Sequence, residues 1–345
     1  MAMLDNGMSK EECEAMQAQR EQLRKEINKN HDKKQVVVPA SELVAQDKKI
    51  VSVSPIADYN LNGGIPEGTW LILSGLPKAG KTVTALQIAA NAQRQYNKPV
   101  YIGSVEHRIN KKELEGIHGL DIDNVEMIQS TTGKILTAQD FLQEFTTVIK
   151  TIPGCVLIID STSALCAEGE FANIMNEKGM GRNEGPKLLA QFCRKMTGVV
   201  PVQNTIVIVI QHLIANTSGY GEPYYEDGGR KMQHQADTKL RCTSFQKWEN
   251  SKKDDQVGQV INWQIKTAAL TKPGGKFQNY LRYGYGLDDI KEYMMLGCDM
   301  GLIDKKGAWF YYEDIKANGI DQLHKKLCDQ PEMLAKLAET IGNML

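Results

Sequence analysis

Gly75-Leu76-Pro77-Lys78-Ala79-Gly80-Lys81-Thr82 sets two glycines, a lysine and a hydroxyl at the GxxxxGK[ST] spacing, with Val83 opening the stretch that follows. Such a segment wraps phosphate. Gly75 and Gly80 let the backbone curl so that successive N–H groups point at phosphate oxygens, and a helix starting near Lys81 adds its positive N-terminal end. Lys81 then reaches the β- and γ-phosphates, and Thr82 is placed to ligate Mg²⁺. A carboxylate is needed beside it. Asp160 closes the apolar run Cys155-Val156-Leu157-Ile158-Ile159; alone, such an acid is usually a helix cap, but paired with the glycine loop it reads as the acid that holds the Mg²⁺ water shell. Glu106 ends the run Val100 to Val105 in the same way. With Asp160 at the metal, Glu106 is the candidate general base for the attacking water, although it also has Lys78 or Arg108 within sequence reach as ion-pair partners. Gln211 ends a further apolar run, Ile206 to Ile210, where an amide can hydrogen-bond a γ-phosphate and report it to the chain beyond.

These side chains need strands ending side by side. Apolar runs at Leu71 to Ser74, Val100 to Val105, Val156 to Asp160 and Ile206 to Gln211 alternate with helical stretches at Thr82 to Gln95, Ala138 to Lys150 and Gly185 to Met196. Near-continuous apolar strands between helices imply a parallel sheet covered on both faces. From Lys239 to Tyr285 the chain is β-rich and expected to continue the sheet with antiparallel pairs, and from Asp288 a small α/β unit follows with Ala308 to Tyr312 as its clearest strand. His212 to Gly229, rich in Gly, Asn, Ser and Tyr and without periodicity, reads as a long mobile loop. At the other end Ser9 and Glu12 form a capping-box pattern opening a helix to Asn30, with a narrow stripe of Met16, Leu23 and Ile27. That stripe suits either a solvated helix or an arm that docks on another subunit. Gln35 to Val38 and Lys49 to Val53 have strand character.

The 345 residues carry 41 Lys+Arg against 42 Asp+Glu. That near-neutral sum excludes a uniformly basic, histone-like nucleic-acid binder, so a DNA partner must be met by local patches. The 41% hydrophobic content excludes a mainly disordered chain. Seven cysteines without a CxxC pair indicate neither a disulfide framework nor a zinc knuckle, and they fit a reducing compartment. With no span of about 18 apolar residues and no signal-like start, the expected setting is cytoplasmic, without a membrane partner.

In order, GLPKAGKT, SVEH, GLDIDNVEMIQSTTGKILTAQ, LIIDSTSAL, IVIVIQ, a loop and Gly228-Gly229 resemble RecA-type homologous recombinases. The resemblance runs from about Val51 to near the C-terminus, where LRYGYGLDDIKEYMMLGCDMGLIDKKGAWFYY is similar to the opening of the small C-terminal domain of that family. The weaker similarity elsewhere and the Lys-rich N-terminal arm suggest a divergent member, such as a phage would encode. The resemblance implies an α/β RecA-like P-loop ATPase core with a mostly parallel twisted sheet, an N-terminal helical arm and a small α/β C-terminal domain. On this reading residues 1–50 are the arm, 51–286 the core with two DNA-binding loops, and 287–345 the C-terminal domain. It further implies ATP and Mg²⁺ as substrate and cofactor, held between adjacent subunits, a helical filament on single-stranded DNA, pairing with double-stranded DNA, and strand exchange. Lys81 and Thr82 match the phosphate loop, Glu106 the catalytic glutamate, Asp160 the metal-site acid and Gln211 the nucleotide-sensing glutamine. The DNA loops correspond to about residues 168–185, with Met180, Gly181, Arg182 and Asn183, and to 213–230, where Gly228 and Gly229 precede Arg230 and Lys231. Tyr220, Tyr224 and Tyr225 are candidates to stack on bases or to pack the loop.

The departures are specific. Asn110 stands where the family has an adenine-contacting Asp, and no stacking aromatic follows it. Gln233 replaces a lysine that reaches the neighbour's ATP, and of a later lysine pair only Lys266 aligns, with Lys272 nearby. The sequence ends at Leu345 without an acidic tail, from which duplex binding less restrained by salt or Mg²⁺ is expected. Two alternatives retain the ATPase core: a ring-forming motor of the helicase type, and a DNA-coating filament without strand exchange.

Overall fold

The computed structural model describes residues 10–32, 34–43, 48–172, 184–216, 220, 223–250 and 255–344. The chain divides into two compact units, Met1–Lys48 and Lys49–Leu345. The first is built on helix α1 (Lys10–Asn30), with Glu11 and Glu12 in its first turn, Lys29 in its last, and no buried residue. Leu23 of the expected stripe is 56% exposed. Ser9, the expected cap, lies outside the described residues. The expected strand at Gln35 to Val38 does not form. Val36 N and Val37 N both donate to Asn28 Oδ1 and Val37 O accepts from Asn28 Nδ2, so the carboxamide satisfies backbone groups that a sheet partner would otherwise hold.

In the second unit the Lys49 to Val53 strand shortens to Ile50–Val51, paired with Ile65–Pro66. Helix α2 (Pro55–Leu61) follows, capped by Ser54. The large sheet has the strands β1 (Trp70–Gly75), β2 (Val100–Ser104), β3 (Val125–Ile128), β4 (Val156–Asp160), β5 (Ile206–Ala215), β6 (Tyr224–Glu226), β7 (Thr238–Glu249), β8 (Gln256–Thr267), β9 (Lys276–Arg282) and β10 (Gly286–Leu287). Their spatial order is β10-β9-β8-β7-β1-β5-β4-β2-β3, with β6 on β5. Neighbours from β7 through β3 run parallel; β7 to β10 run antiparallel, as does the β5–β6 hairpin.

Every residue of β1 and β4 is buried, which is why these strands read as unbroken apolar runs. Alternate side chains enter opposite cores. Leu71, Leu73, Ile158 and Ile208 join α3 (Lys81–Tyr96) on one face, while Trp70, Ile72, Leu157 and Val207 join α4 (Ala138–Thr151) and α5 (Gly185–Met196) on the other. The connection from β5 is not the structureless loop expected from composition. β5 continues to Ala215 and pairs back with β6 through Leu213–Glu226, Ile214–Tyr225 and Ala215–Tyr224. The register is pinned by Glu226, whose carboxylate is held by Arg241 and Lys239 of β7.

After α6 (Gly229–Gln235) and the antiparallel strands, α7 (Asp289–Asp299), a three-stranded sheet, α8 (Ile320–Asp329) and α9 (Pro331–Gly342) enclose a separate core of residues such as Met294, Phe310, Leu323 and Leu337. Glu292 stitches it to the sheet: fully buried, it accepts from Ile56 N, Tyr280 N and Asn279 Nδ2. All seven cysteines are free thiols. Among the described residues no helix is long and apolar enough to cross a membrane.

Candidate nucleotide site

β1 ends at Gly75, and α3 starts at Lys81 behind Gly80, whose φ is +77°. The strand–loop–helix order that the motif requires is present. The glycines answer to neighbouring strands as well as to the curl. A Cβ on Gly75 would lie 2.8 Å from Cys242 Cβ of β7, and one on Gly80 would lie 2.3 Å from Ile261 Cδ1 of β8. Leu76, Pro77 and Lys78 are exposed, Ala79 is buried, and Val83 packs on the core below α3.

Lys81 Nζ donates to Gly75 O at 3.0 Å and Leu76 O at 2.9 Å. Burial pushes its pKa down, against the opposing charges of Asp160 and Glu106. Thr82 Oγ1 donates to Asp160 Oδ2 at 2.8 Å, across from α3 to the end of β4. Burial raises the Asp160 carboxyl above its ordinary value, the Thr82 hydroxyl pulls it back, and Glu106 adds to the rise. A divalent cation would relieve that desolvated charge. Mg²⁺ takes few protein ligands and completes its octahedron with phosphate and water, so one hydroxyl and one carboxylate at the mouth of a phosphate loop fit it.

Glu106 lies just beyond β2. Its Oε1 accepts from Ser161 Oγ at 2.5 Å and from His212 Nε2 at 2.7 Å, and its Oε2 faces Arg108 Nε at 3.1 Å. Burial pushes this carboxyl up, but the Ser161, His212 and Arg108 contacts outweigh it and the net direction is down. Glu106 therefore holds its charge. Of the ion-pair partners within sequence reach, Arg108 is engaged.

Lys81, Thr82, Glu106, Arg108, Asp160 and His212 line one cavity of about 760 Å³, within the usual range for a small-molecule site. Its far wall includes Asn110, Tyr283 and Gly284. Asn110 caps the helix Lys111–Glu115, its Oδ1 accepting from Glu113 N, so its carboxamide is engaged in capping. The wall nonetheless holds an aromatic, Tyr283, from the β9–β10 turn.

Gln211 is the predicted residue that the structure turns away from this cavity. Strand alternation sends His212 to the nucleotide side and Gln211 to the other, where it is fully buried. There Gln233 Nε2 donates to Gln211 Oε1 at 2.7 Å, and Lys239 Nζ donates to Gln233 Oε1. Lys239 and Arg241 in turn hold Glu226 at 2.9 and 2.6 Å. Gln211 Nε2 and Thr162 Oγ1 are buried without partners among the described residues, and Gly228 is wedged beside both: a Cβ there would lie 2.6 Å from Gln211 Nε2 and 3.4 Å from Thr162 Oγ1. Gly229 opens α6 with Arg230 next in the helix, and Lys231 is exposed on it. Met180, Gly181, Arg182 and Asn183 lie outside the described residues. Tyr220, Tyr224 and Tyr225 are exposed at 88%, 41% and 51%. Lys272 is exposed, while Gln233 belongs to the buried network just described.

Sequence reasoning missed Ser161 and His212 because neither completes a motif. Their one signal was position, directly after an acid and directly after a glutamine at strand ends.

A strand–glycine loop–helix with a hydroxyl and carboxylate meeting at its mouth defines a P-loop nucleotide-binding core. The model of the RecA N-terminal domain matches residues 18–288, and that of the RecA C-terminal domain matches residues 292–345. The chain belongs to the RecA family. It is similar to Protein RecA of a Nitratiruptor species, at 28% identity over 312 residues covering 86% of each chain. It is also similar to that of Bacteroides thetaiotaomicron, at 26% over 344 residues covering 98% of each. Against Protein RecA of Aquifex pyrophilus the identity is 26% over 281 residues, 81% of this chain and 78% of the relative.

Proposed function

We propose that this chain is an ATP-dependent recombinase, which forms a helical filament on single-stranded DNA, pairs it with homologous duplex and exchanges strands, with DNA-dependent ATP hydrolysis driving turnover. The observation that carries this reading is the convergence of Lys81, Thr82, Asp160 and Glu106 on one cavity in a chain matched by both RecA domain models. In this reading residues 1–50 are the docking arm, 51–286 the ATPase core and 287–345 the C-terminal domain. The free thiols suit the reducing cytoplasm.

The backbone N–H groups of the loop from Gly75 to Val83, other than Pro77, which has none, and the Lys81 ammonium bind the phosphates, Lys81 exchanging the Gly75 and Leu76 carbonyls for phosphate oxygens. Thr82 and Asp160 would hold Mg²⁺, which would supply positive charge to the phosphoryl oxygens. Glu106, ionised, orients the attacking water and takes its proton. Gln211 and its buried partners report the nucleotide state toward Gly228 and α6. DNA is met by Met180 to Asn183 and by Gly228, Gly229, Arg230 and Lys231; so few cations suffice because a filament repeats them along the strand. The apolar stripe of α1, on which Leu23 is exposed, supplies the contact to the next subunit.

Negative-stain microscopy with an ATP analogue and single-stranded DNA tests the reading. Helical filaments together with strand exchange between homologous DNAs are expected. Closed rings identify the motor alternative, and filaments without exchange identify the coating alternative.

A further inference from the structure

β5 carries its two terminal polar residues to opposite sides of the sheet, and His212 is the one that touches Glu106. The two oxygens of Glu106 are held differently. Oε1 accepts from Ser161 Oγ and His212 Nε2, donors whose positions are fixed by the ends of β4 and β5, whereas Oε2 meets Arg108, a side chain 76% exposed. A carboxylate whose charge is retained accepts hydrogen bonds only, so His212 Nε2 carries the proton and donates. The arrangement fixes one oxygen and leaves the other to turn toward a water.

The main chain of His212 is equally engaged. Its N–H donates to Ser163 Oγ at 3.3 Å, and its carbonyl accepts from Asp227 N at 3.1 Å. Asp227 joins β6 to Gly228, so a movement of the β5–β6 hairpin pulls on the residue that aims Glu106. The path from hairpin to carboxylate is thus two hydrogen bonds and one side chain long.

We infer that His212 is the positioning residue through which the paired strands β5 and β6, acting through Asp227, set the orientation of the Glu106 carboxylate. The inference rests on the ATPase reading above and goes beyond it, because it places the coupling of hairpin to hydrolysis on the cavity side of β5, in addition to the buried amide side. When the hairpin shifts, the His212 carbonyl moves with Asp227, the Nε2–Oε1 bond turns with it, and Oε2 swings into or out of line with the γ-phosphate. Histidine fits the task because its ring reaches about as far as a glutamine side chain but with fewer rotatable bonds, so less orientation is lost.

The test measures steady-state ATP hydrolysis with and without single-stranded DNA for the wild type, His212→Ala and His212→Gln, alongside binding of a non-hydrolysable ATP analogue. His212→Ala is expected to lower the DNA-stimulated kcat about 10- to 100-fold, the range for a reacting group displaced by about 1 Å, with the KM for ATP and analogue binding within about twofold of wild type. His212→Gln, whose amide nitrogen can stand where Nε2 stands, is expected to recover most of the loss. DNA-stimulated turnover in His212→Ala equal to wild type overturns the inference alone. Equal loss in both variants, or loss of analogue binding by either, makes His212 a structural residue and also overturns it. Absence of hydrolysis in the wild type overturns the ATPase reading and this inference with it.

Discussion

The two sides of the β5 terminus are built on opposite principles. On the cavity side, charged groups are paired in exchangeable ways: Lys81 with its own loop carbonyls, Thr82 with Asp160, and Glu106, through Oε2 alone, with a largely solvated Arg108. Each of these bonds has a counterpart that nucleotide or Mg²⁺ can supply. On the other side the network is closed, with the Glu226 side chain 6% exposed and held by two cations. Yet it is imperfect, because Gln211 Nε2 and Thr162 Oγ1 have no partners among the described residues. Buried polar groups left unsatisfied cost about 1–3 kcal/mol each, so this side gains from any rearrangement that pairs them. A site that must bind and release a ligand keeps replaceable contacts, whereas the network on the other side is a rigid frame with a local mismatch.

The largest effect should come from the cavity side. Glu106→Gln is expected to lower turnover about 10²- to 10⁴-fold, the usual contribution of a positioned base, while analogue and DNA binding persist; Lys81→Ala should lose both hydrolysis and tight nucleotide binding. Titration calorimetry with an ATP analogue separates the two. If Glu106→Gln also lost nucleotide binding, the carboxylate would belong to the frame and the contrast between the sides would break.

On the closed side, Glu226→Ala leaves Lys239 and Arg241 facing one another, and thermal or urea denaturation should show a loss of about 3–5 kcal/mol, as for a broken buried pair. Gly228→Ala comes next. At φ +97°, with its methyl against Gln211 Nε2, it should cost about 1–3 kcal/mol and reduce stimulation of hydrolysis by DNA more than hydrolysis without it.

Acid sharpens the same comparison. Burial raises the Glu226 carboxyl, but Lys239 and Arg241 outweigh this and hold it below its ordinary value of 4.5. Its contribution is thus fully present above that value and lost as pH falls through the lower folded-state value. The difference in melting temperature between wild type and Glu226→Gln should be constant near neutrality and shrink below about pH 4.5. Smallest is Arg108→Ala, where an exposed pair is worth about 0–1 kcal/mol; stability should hardly change.

Much of the site was legible because its chemistry constrains neighbouring residues in sequence. The glycine loop with Lys81 and Thr82, and the acids at Asp160 and Glu106, sit at strand ends that declare themselves as buried apolar runs. What the sequence obscured depends on contacts far along the chain. The stretch after Gln211 read as a loop since its composition is Gly, Asn and Ser, but its strand pairing is held by Arg241 and Lys239 on β7, which no local pattern exposes. Gln35 to Val38 read as a strand from its valines, and the Asn28 carboxamide overrode that preference. Ser161 and His212 were overlooked because a serine or histidine gains meaning here only from what it faces.

By itself, then, the sequence determined the order of strands and helices, the phosphate loop and the acids that accompany it, because burial on both faces and phosphate geometry each demand particular residues at fixed local spacing. Only the tertiary structure decided which side of β5 each terminal residue serves. That choice follows from the alternation of side chains along a strand combined with the packing of β7, α6 and the β5–β6 hairpin, and it put His212, rather than Gln211, against the Glu106 carboxylate.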